Sequence, residues 1–447
     1  MHESVKGTEQ FEGIGNRLAK MVRIPTVSGA GNEEFYQIGA YRALLEKEFS
    51  YLFQAAKKHP VGEALLLELA AEDTGKPPVL FTGHMDVVPA KDSDAWQYPP
   101  FSGHMENGCI WGRGAQDMKG PQCALLSAFD LLLQKGWKPG RPIWLYLSCD
   151  EEVGGQTTQK AADWLAQQGI HFETVFDEGG TVCEDYMGLV KGKAALFGIA
   201  EKGSLEYRFT ALDAGGHAAN PPERSAIVRL AEVVLETQKE GVFVRGLTEG
   251  SRAMLRAAAQ HCPQDLREEV LRAAKEEGTY ETLYKICPDA KTLLGATIAF
   301  TMAAGGTAFN VLPKRVELTA NVRVSAVETQ EEVTRKLQQI AKKHGVICTL
   351  EGGNDASPES SEEAPGYQAM KASVQEAYPG MPVIPFVLGG GTDSKHFLPL
   401  TDEVLRFSPM YAQPWQGKGV HGDNEAADEK AVADAAVCYS ILLEKYL

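Results

Sequence analysis

Three short apolar runs in the first half of the chain each break off into acidic or imidazole residues, and this repetition restricts the fold more than any other feature. Pro78-Val79-Leu80-Phe81-Thr82 closes on Gly83-His84-Met85-Asp86, Ile143-Trp144-Leu145-Tyr146-Leu147-Ser148 runs into Asp150-Glu151-Glu152, and Thr174-Val175-Phe176 into Asp177-Glu178-Gly179-Gly180. Runs this short and this apolar fit strands buried on both faces, as in parallel sheets covered by helices. Between the first two runs, Gly112-Arg113-Gly114-Ala115-Gln116-Asp117-Met118-Lys119-Gly120 reads as a tight glycine-rich loop that carries one acid into a helix. Sites in open α/β sheets form at the carboxyl ends of parallel strands, so these acids are expected to converge with His84.

Each piece has a plainer reading. His84 and Asp86 stand two residues apart, on the same side of a strand, so the Asp86 carboxylate is expected to hydrogen-bond the back of the His84 ring and fix which nitrogen faces a metal. Alone, a His-x-Asp is a turn with a solvated imidazole and a capping carboxylate. An Asp-Glu-Glu cluster is a charged helix start, favoured by the helix dipole. Here the cluster follows a buried-strand pattern and enters Val153-Gly154-Gly155, a poor solvated helix face, which favours a site.

Composition excludes several classes. The chain has 447 residues, 44% of them hydrophobic, enough for two or three soluble domains. Its 60 acidic and 44 basic residues leave a net charge of −16, which argues against nucleic acid or an anionic membrane as partner. No run approaches the ~18 apolar residues of a membrane span, and Met1-His2-Glu3-Ser4 does not open a secretory leader, so a cytoplasmic protein is expected. The eight cysteines are scattered with no C-x-x-C pair, and Cys123, Cys149 and Cys348 lie in apolar runs as reduced, buried residues do.

The pattern predicts an α/β fold with one domain split by another. Phe11 to about Met21 is an amphipathic helix, and strands and helices alternate to about Ala200 as in a largely parallel sheet. Beyond Lys202-Gly203 the texture changes. Strands are expected at 204–212, 296–303, 316–324 and 346–351, with helices at 225–238 and 329–344. That β-α-β-β-α-β order is the ferredoxin-like sandwich, and the polar stretch 352–365 is the return linker.

Together these segments resemble the M20 metallopeptidase family, which contains carboxypeptidase G2, succinyl-diaminopimelate desuccinylase and the aminoacylases. The resemblance runs through Arg23-Ile24-Pro25-Thr26-Val27-Ser28, Gly83-His84-Met85-Asp86-Val87-Val88-Pro89, Trp111-Gly112-Arg113-Gly114 with Asp117, and Glu151-Glu152-Val153-Gly154-Gly155. It continues in Gly215-Gly216-His217-Ala218-Ala219, Asn310-Val311-Leu312-Pro313, Gly390-Gly391-Thr392-Asp393 and Val420-His421-Gly422. Pro99-Pro100-Phe101-Ser102-Gly103 and Asp177-Glu178-Gly179-Gly180 are most similar to the branch of yeast carboxypeptidase S and the mammalian N-acyl amino acid enzymes.

The resemblance implies a mostly parallel-sheet catalytic domain over 1–200 and 360–447, and an inserted α+β ferredoxin-like lid and dimerisation domain over 201–359. It implies two divalent metal ions, zinc being favoured over cobalt or manganese, with Asp117 bridging. His84 and Asp177 would complete one site, Glu152 and His421 the other. Glu151 would be the general base for attack by a metal-bridging hydroxide, and Asp86 would support His84. His217 would serve the oxyanion of a partner subunit's site in a homodimer, while Asn310, Arg323, Gly391 and Thr392 would grip the substrate carboxylate. Arg323 otherwise reads as the exposed face of a half-buried strand.

The expected activity is hydrolysis of an amide next to a free-carboxylate amino acid, of carboxypeptidase or dipeptidase type. The alternative substrate is an N-acyl amino acid, since one carboxylate clamp serves both. A non-catalytic binding protein would have lost ligands or base, and an aminopeptidase would leave Arg323 and Asn310 unexplained. Compact family members lack the segment at about 240–292, whose 252–258 and 266–277 patterns are helical and charged. It reads either as a surface helical pair or as a cover over the substrate cleft or dimer contact.

Overall fold

The computed structural model describes residues 5–29, 31, 33–71, 75–90, 95–275, 283–285 and 287–447. The expectations for Met1–Ser4 and for the end of the 266–277 helix lie outside these. The chain divides into two compact units, one of residues 1–199, 360–386 and 392–447 and one of residues 200–359 and 387–391.

The first unit is built on a sheet of nine strands among the described residues. β1 (Leu65–Leu69), β2 (Val79–His84), β3 (Ile143–Ser148) and β4 (Thr174–Asp177) lie in the order β1-β3-β2-β4, followed by the strand Val404–Arg406. β3, β2, β4 and Val404–Arg406 run parallel, and β1 pairs antiparallel with β3. The register sets Val79 against Ile143 and His84 against Ser148, so β2 and β3 end level with each other. Every residue of β2, β3 and β4 is buried, as their unbroken apolar runs require. Phe81 stacks on Phe176 at 4.8 Å between ring centroids and meets Phe129 edge-on at 5.7 Å.

The helix Lys119–Gln134 is buried along most of its length and packs against the C-terminal helix Glu429–Lys445. At the N-terminus, the expected single helix divides. A 3₁₀ turn spans Thr8–Phe11 and the helix Ile14–Val22 follows, because Gly13 at φ 80° interrupts the helical path.

In the second unit, β5 (Gly203–Leu212), α1 (Ala226–Thr237), β6 (Thr297–Gly305), β7 (Arg315–Val324), α2 (Gln330–Lys343) and β8 (Ile347–Asn354) follow the expected β-α-β-β-α-β order. Their sheet runs β6-β7-β5-β8 with antiparallel neighbours, which is the ferredoxin-like arrangement. Leu205, Tyr207, Phe209, Val322, Val324, Val333 and Leu337 form its core. Ser225 caps α1, and Thr329 with Glu332 forms a capping box at the start of α2.

The added segment holds the helices Glu249–His261 and Gln264–Lys275, packed on each other through Met254, Leu255, Ala258 and Val270. Its end is tied to β5 by the buried Lys202, whose Nζ donates to Thr292 O at 3.0 Å and Gly295 O at 2.7 Å. Among the described residues no helix is long and apolar enough to cross a membrane.

Candidate active site

β2 delivers His84 to the carboxyl edge of the first unit's sheet. Met118 Cε packs against Gly83, where a Cβ would fall 2.6 Å away and the thioether end of the 112–118 loop would have to shift. That loop sets Asp117 beside His84, with Asp117 Oδ1 3.0 Å from His84 Nε2. After β3, the chain turns through a 3₁₀ segment Glu151–Val153 rather than a solvated helix. Glu152 Oε2 there lies 3.1 Å from His421 Nε2, and the same nitrogen is 3.1 Å from Asp117 Oδ2. Asp117 thus faces a different imidazole with each oxygen.

The ring orientations follow from hydrogen-bond chemistry. His84 Nδ1 is 2.9 Å from the backbone carbonyl of Asp86, which only accepts, so Nδ1 carries the hydrogen and Nε2 faces the acids. The expected contact from the Asp86 carboxylate is corrected here: Oδ1 stands 3.6 Å away. The carboxylate instead accepts the backbone N–H of Glu151 and of Glu152, one on each oxygen at 3.2 Å. Two residues beyond the strand end, the chain has turned, and the Asp86 side chain spans to the next loop while its carbonyl backs the ring. Asp86 therefore orders both sides of the site.

Asp177, expected as a ligand, is held by backbone amides on both oxygens. Its Oδ2 accepts the Ser394 N–H at 2.9 Å and its Oδ1 the Glu178 N–H at 2.8 Å, so it braces the loop. Its neighbour Glu178 turns inward instead, with Oε1 3.8 Å from His84 Nε2. Asp177 is the last residue of β4, in register with Arg406 of the adjacent strand, whereas Glu178 lies beyond the ladder and has the longer reach. Two adjacent acids gave no signal in the sequence as to which would turn inward.

Thr392, expected at the substrate carboxylate, is the cap of a 3₁₀ segment. Its buried hydroxyl caps the following 3₁₀ segment, accepting the Ser394 N–H and lying 2.6 Å from Ser394 Oγ. The next residue, Asp393, is a buried acid that the sequence reading passed over. It accepts from Thr158 Oγ1 at 2.9 Å and stands close to Gly155, and burial foremost pushes it up to about 7.

His217, Asn310, Arg323 and Gly391 belong to the second unit. A two-stranded ladder pairs Gly216-His217 with Val311-Leu312, which brings His217 and Asn310 together: Ala218 N–H donates to Asn310 O at 3.0 Å. His217 Nδ1 accepts the Ala219 N–H at 3.1 Å, so Nε2 of the exposed ring carries the hydrogen. Arg323 is half-buried on β7, opposite Ser204 and Thr297. Gly391 is exposed.

The electrostatics of the first-unit cluster follow from crowding. Burial would push His84 down, but the Asp117 and Asp86 carboxylates and the charge of Glu178 carry it well above its ordinary value. Contacts with Asp117 and Glu152 push His421 up to about 10. Burial opposes ionisation of Asp117, yet the two imidazoles hold it well below the usual carboxylate range. Burial foremost, then the charge of Asp117, lifts Glu178 well above that range. Burial also pushes Glu151 up to about 8, helped by Asp393, Glu152 and Asp86 and opposed by His84.

These residues fit divalent metal. Ligand atoms of His84, Asp117 and Glu152 all lie within 4.8 Å of one another. Glu152 Oε1 is buried with no hydrogen-bond partner, and both histidines aim Nε2 at carboxylate oxygens, a pairing that requires a proton or a cation between them. A mixed imidazole and carboxylate set without thiolate is that of catalytic rather than structural metal.

A family model for peptidase family M20/M25/M40 matches residues 80–445. The chain belongs to this family. It is 30% identical to the N-fatty-acyl-amino acid synthase/hydrolase PM20D1 of Homo sapiens over 433 residues, covering 95% of this chain and 86% of that protein. With carboxypeptidase S of Saccharomyces cerevisiae it shares 26% identity over 471 residues, covering 92% of this chain and 80% of that one. Its fold matches the M20 family metallo-carboxypeptidase Sso-CP2 of Sulfolobus solfataricus with a TM-score of 0.75 at 20% identity, covering 97% of this chain and 99% of that chain. The protein is thus an enzyme, a hydrolase of a metallopeptidase family.

The geometry separates the two adjacent acids by experiment. Glu178→Gln is expected to weaken divalent-ion binding, measured by chelator competition on the stripped protein, by more than the ~10–100-fold typical of a supporting residue. Asp177→Asn is expected to stay within that range. The reverse ranking would restore Asp177 as the ligand.

Proposed function

We propose that this chain hydrolyses an amide bond whose amine side is an amino acid with a free carboxylate. The observation that carries the reading is Asp117, with Oδ1 3.0 Å from His84 Nε2 and Oδ2 3.1 Å from His421 Nε2, the arrangement of a carboxylate shared by two cations. His84, Asp117 and Glu178 would hold one divalent ion, and Asp117, Glu152 and His421 the other. Zinc suits this donor set, and cobalt or manganese can occupy it. Bound there, such a pair lowers the pKa of water from ~15.7 toward ~7 and polarises an amide carbonyl.

The remaining tasks fall to the chain's own groups. Glu152 faces His421 and is assigned to a cation, so Glu151 beside it is the proton carrier. Its burial among acids lifts it to about 8, within the range useful for taking a proton from water and passing it to the departing nitrogen. Asp86 holds the backbone of both glutamates and so fixes their division of labour. His217, with its Nε2–H directed outward, suits a donor to the oxyanion, a role worth ~10²-fold or more in turnover. Asn310, held beside it by the short ladder, and the guanidinium of Arg323 suit a substrate carboxylate, joined by the exposed Gly391.

A peptide is the first substrate reading. The second, an N-acyl amino acid, is supported by similarity to the human N-fatty-acyl-amino acid synthase/hydrolase. Six of the eight cysteines are buried, as reduced thiols in a core are, which supports a reducing, cytoplasmic setting. The second unit also supports a homodimer. Its edge strand β6 and α1 expose Met302, Ile227 and Leu235 at 64%, 55% and 69%, beside a groove of about 590 Å³. A second copy can extend that edge and cover the apolar stripe.

Three measurements test this reading. Against dipeptides and N-acetyl, aromatic-acyl and long-chain-acyl amino acids with free or amidated C-termini, hydrolysis is expected on free carboxylates alone. Equal rates on the amidated forms would remove Arg323 and Asn310 from substrate binding. Glu151→Gln should retain its metal, by elemental analysis, while turnover drops at least ~10²-fold; near-normal turnover would end its assignment. Leu235→Glu should convert a dimer into a monomer in analytical ultracentrifugation, and a wild-type chain that sediments as a monomer would refute the dimer.

A further inference from the structure

The site's two ligand-bearing loops, 112–117 and 419–425, are joined by one buried ion pair. Arg113 and Glu425 are 3% and 0% exposed, and Arg113 Nη1 donates to Glu425 Oε2 at 2.8 Å. Glu425 does more than neutralise the guanidinium. Its Oε2 also accepts the Gly114 N–H at 2.9 Å, and its Oε1 accepts the N–H groups of Gln116 at 2.8 Å and Asp117 at 3.0 Å. One carboxylate thus gathers three amides of the loop and ends on the backbone of the acid that faces both imidazoles.

Arg113 works in the opposite direction. Its Nη2 donates to Gly422 O at 2.7 Å and its Nη1 to Gly419 O at 3.4 Å, the carbonyls on either side of His421. His421 sits at φ 56°, a left-handed conformation that non-glycine residues seldom adopt. Such a conformation persists only where the surroundings over-determine it, and the fork of Arg113 across 419 and 422 supplies that restraint. The guanidinium is itself covered by the Trp96 ring, 5.2 Å from its centroid, which fixes its plane.

We propose that Arg113 and Glu425 are a positioning pair that sets the spacing between Asp117 and His421 and thereby the affinity of the site for its cations. The inference rests on the metal-site reading given above. It assigns unequal tasks. Glu425 orders Asp117, which both cations share, whereas Arg113 additionally orders His421, which serves one.

The test is chelator competition with Zn²⁺ and the visible spectrum of the Co²⁺ form, on stripped wild type, Glu425→Gln, Arg113→Lys and a core variant of the second unit, Leu205→Ala, with unfolding of each metal-free protein followed by circular dichroism. Gln at 425 offers one acceptor where two are used and turns an N–H₂ toward other donors. Both ions should then bind ~10–100-fold more weakly. Lys at 113 keeps the charge but cannot span both carbonyls, so one ion should weaken by that factor while the other stays as in wild type. Leu205→Ala should lose stability without losing affinity.

Equal binding by wild type and Arg113→Lys would overturn the inference, even if Glu425→Gln fails to fold. So would equal loss of both ions in Arg113→Lys, or a loss in Leu205→Ala that matches it. A wild type that takes up no pair of ions would instead overturn the metal-site reading, and this inference with it.

Discussion

Carboxylates do not gather in a sheltered hollow unless positive charge gathers with them, and this constraint organises the first unit. Asp117, Glu152 and Glu178 meet around the rings of His84 and His421. Without cations the balance is kept by protons, which is why both imidazoles are driven upward and why Glu178 resists ionisation. Ionised acids packed this closely repel one another, and the buried Glu152 Oε1 has no donor to satisfy it. The arrangement therefore has a structural cost that only bound cations offset fully, as expected of a site built for binding rather than for stability.

The parallel sheet enforces this crowding. Strands ending level bring their last side chains into one crevice, and the register of His84 against Ser148 shows the alignment directly. Folding energy comes from elsewhere, from the stacked Phe81 and Phe176 and the helices over the sheet faces. Spatial separation of the apolar core from the acidic edge lets the edge remain electrostatically strained. Asp86 shows how little material the support needs: its carbonyl sets the tautomer of His84 while its carboxylate holds the backbone of Glu151 and Glu152.

Elements and the meeting of the acids were legible because both depend on local pattern. Alternation within 203–212 and 315–324 and a capping box at Thr329 mark elements whose register with their neighbours then follows. Unbroken apolar runs ending in acids announce buried parallel strands, and the carboxyl-end rule does the rest. What was not legible depends on partners far along the chain. Asp177 accepts the Ser394 N–H, which reaches it from a segment that no local pattern connects to it. Thr392, expected at the substrate, also caps the 3₁₀ segment that it precedes, a local contact with Ser394. Glu425 reads in sequence as one more acid in an acidic chain; its role appears only once Arg113, Gly114, Gln116 and Asp117 are seen to converge on it.

The state of Glu151 links the two halves of the argument. With no cation, burial and the surrounding acids push it up to about 8, so its ionisation is opposed at neutral pH. Nearby divalent charge favours the ionised form and moves the group in the opposite direction. The same acids that would draw cations in thus also oppose ionisation of Glu151. The negative charge that raises the affinity of Glu151 for a proton is the charge that bound cations would neutralise.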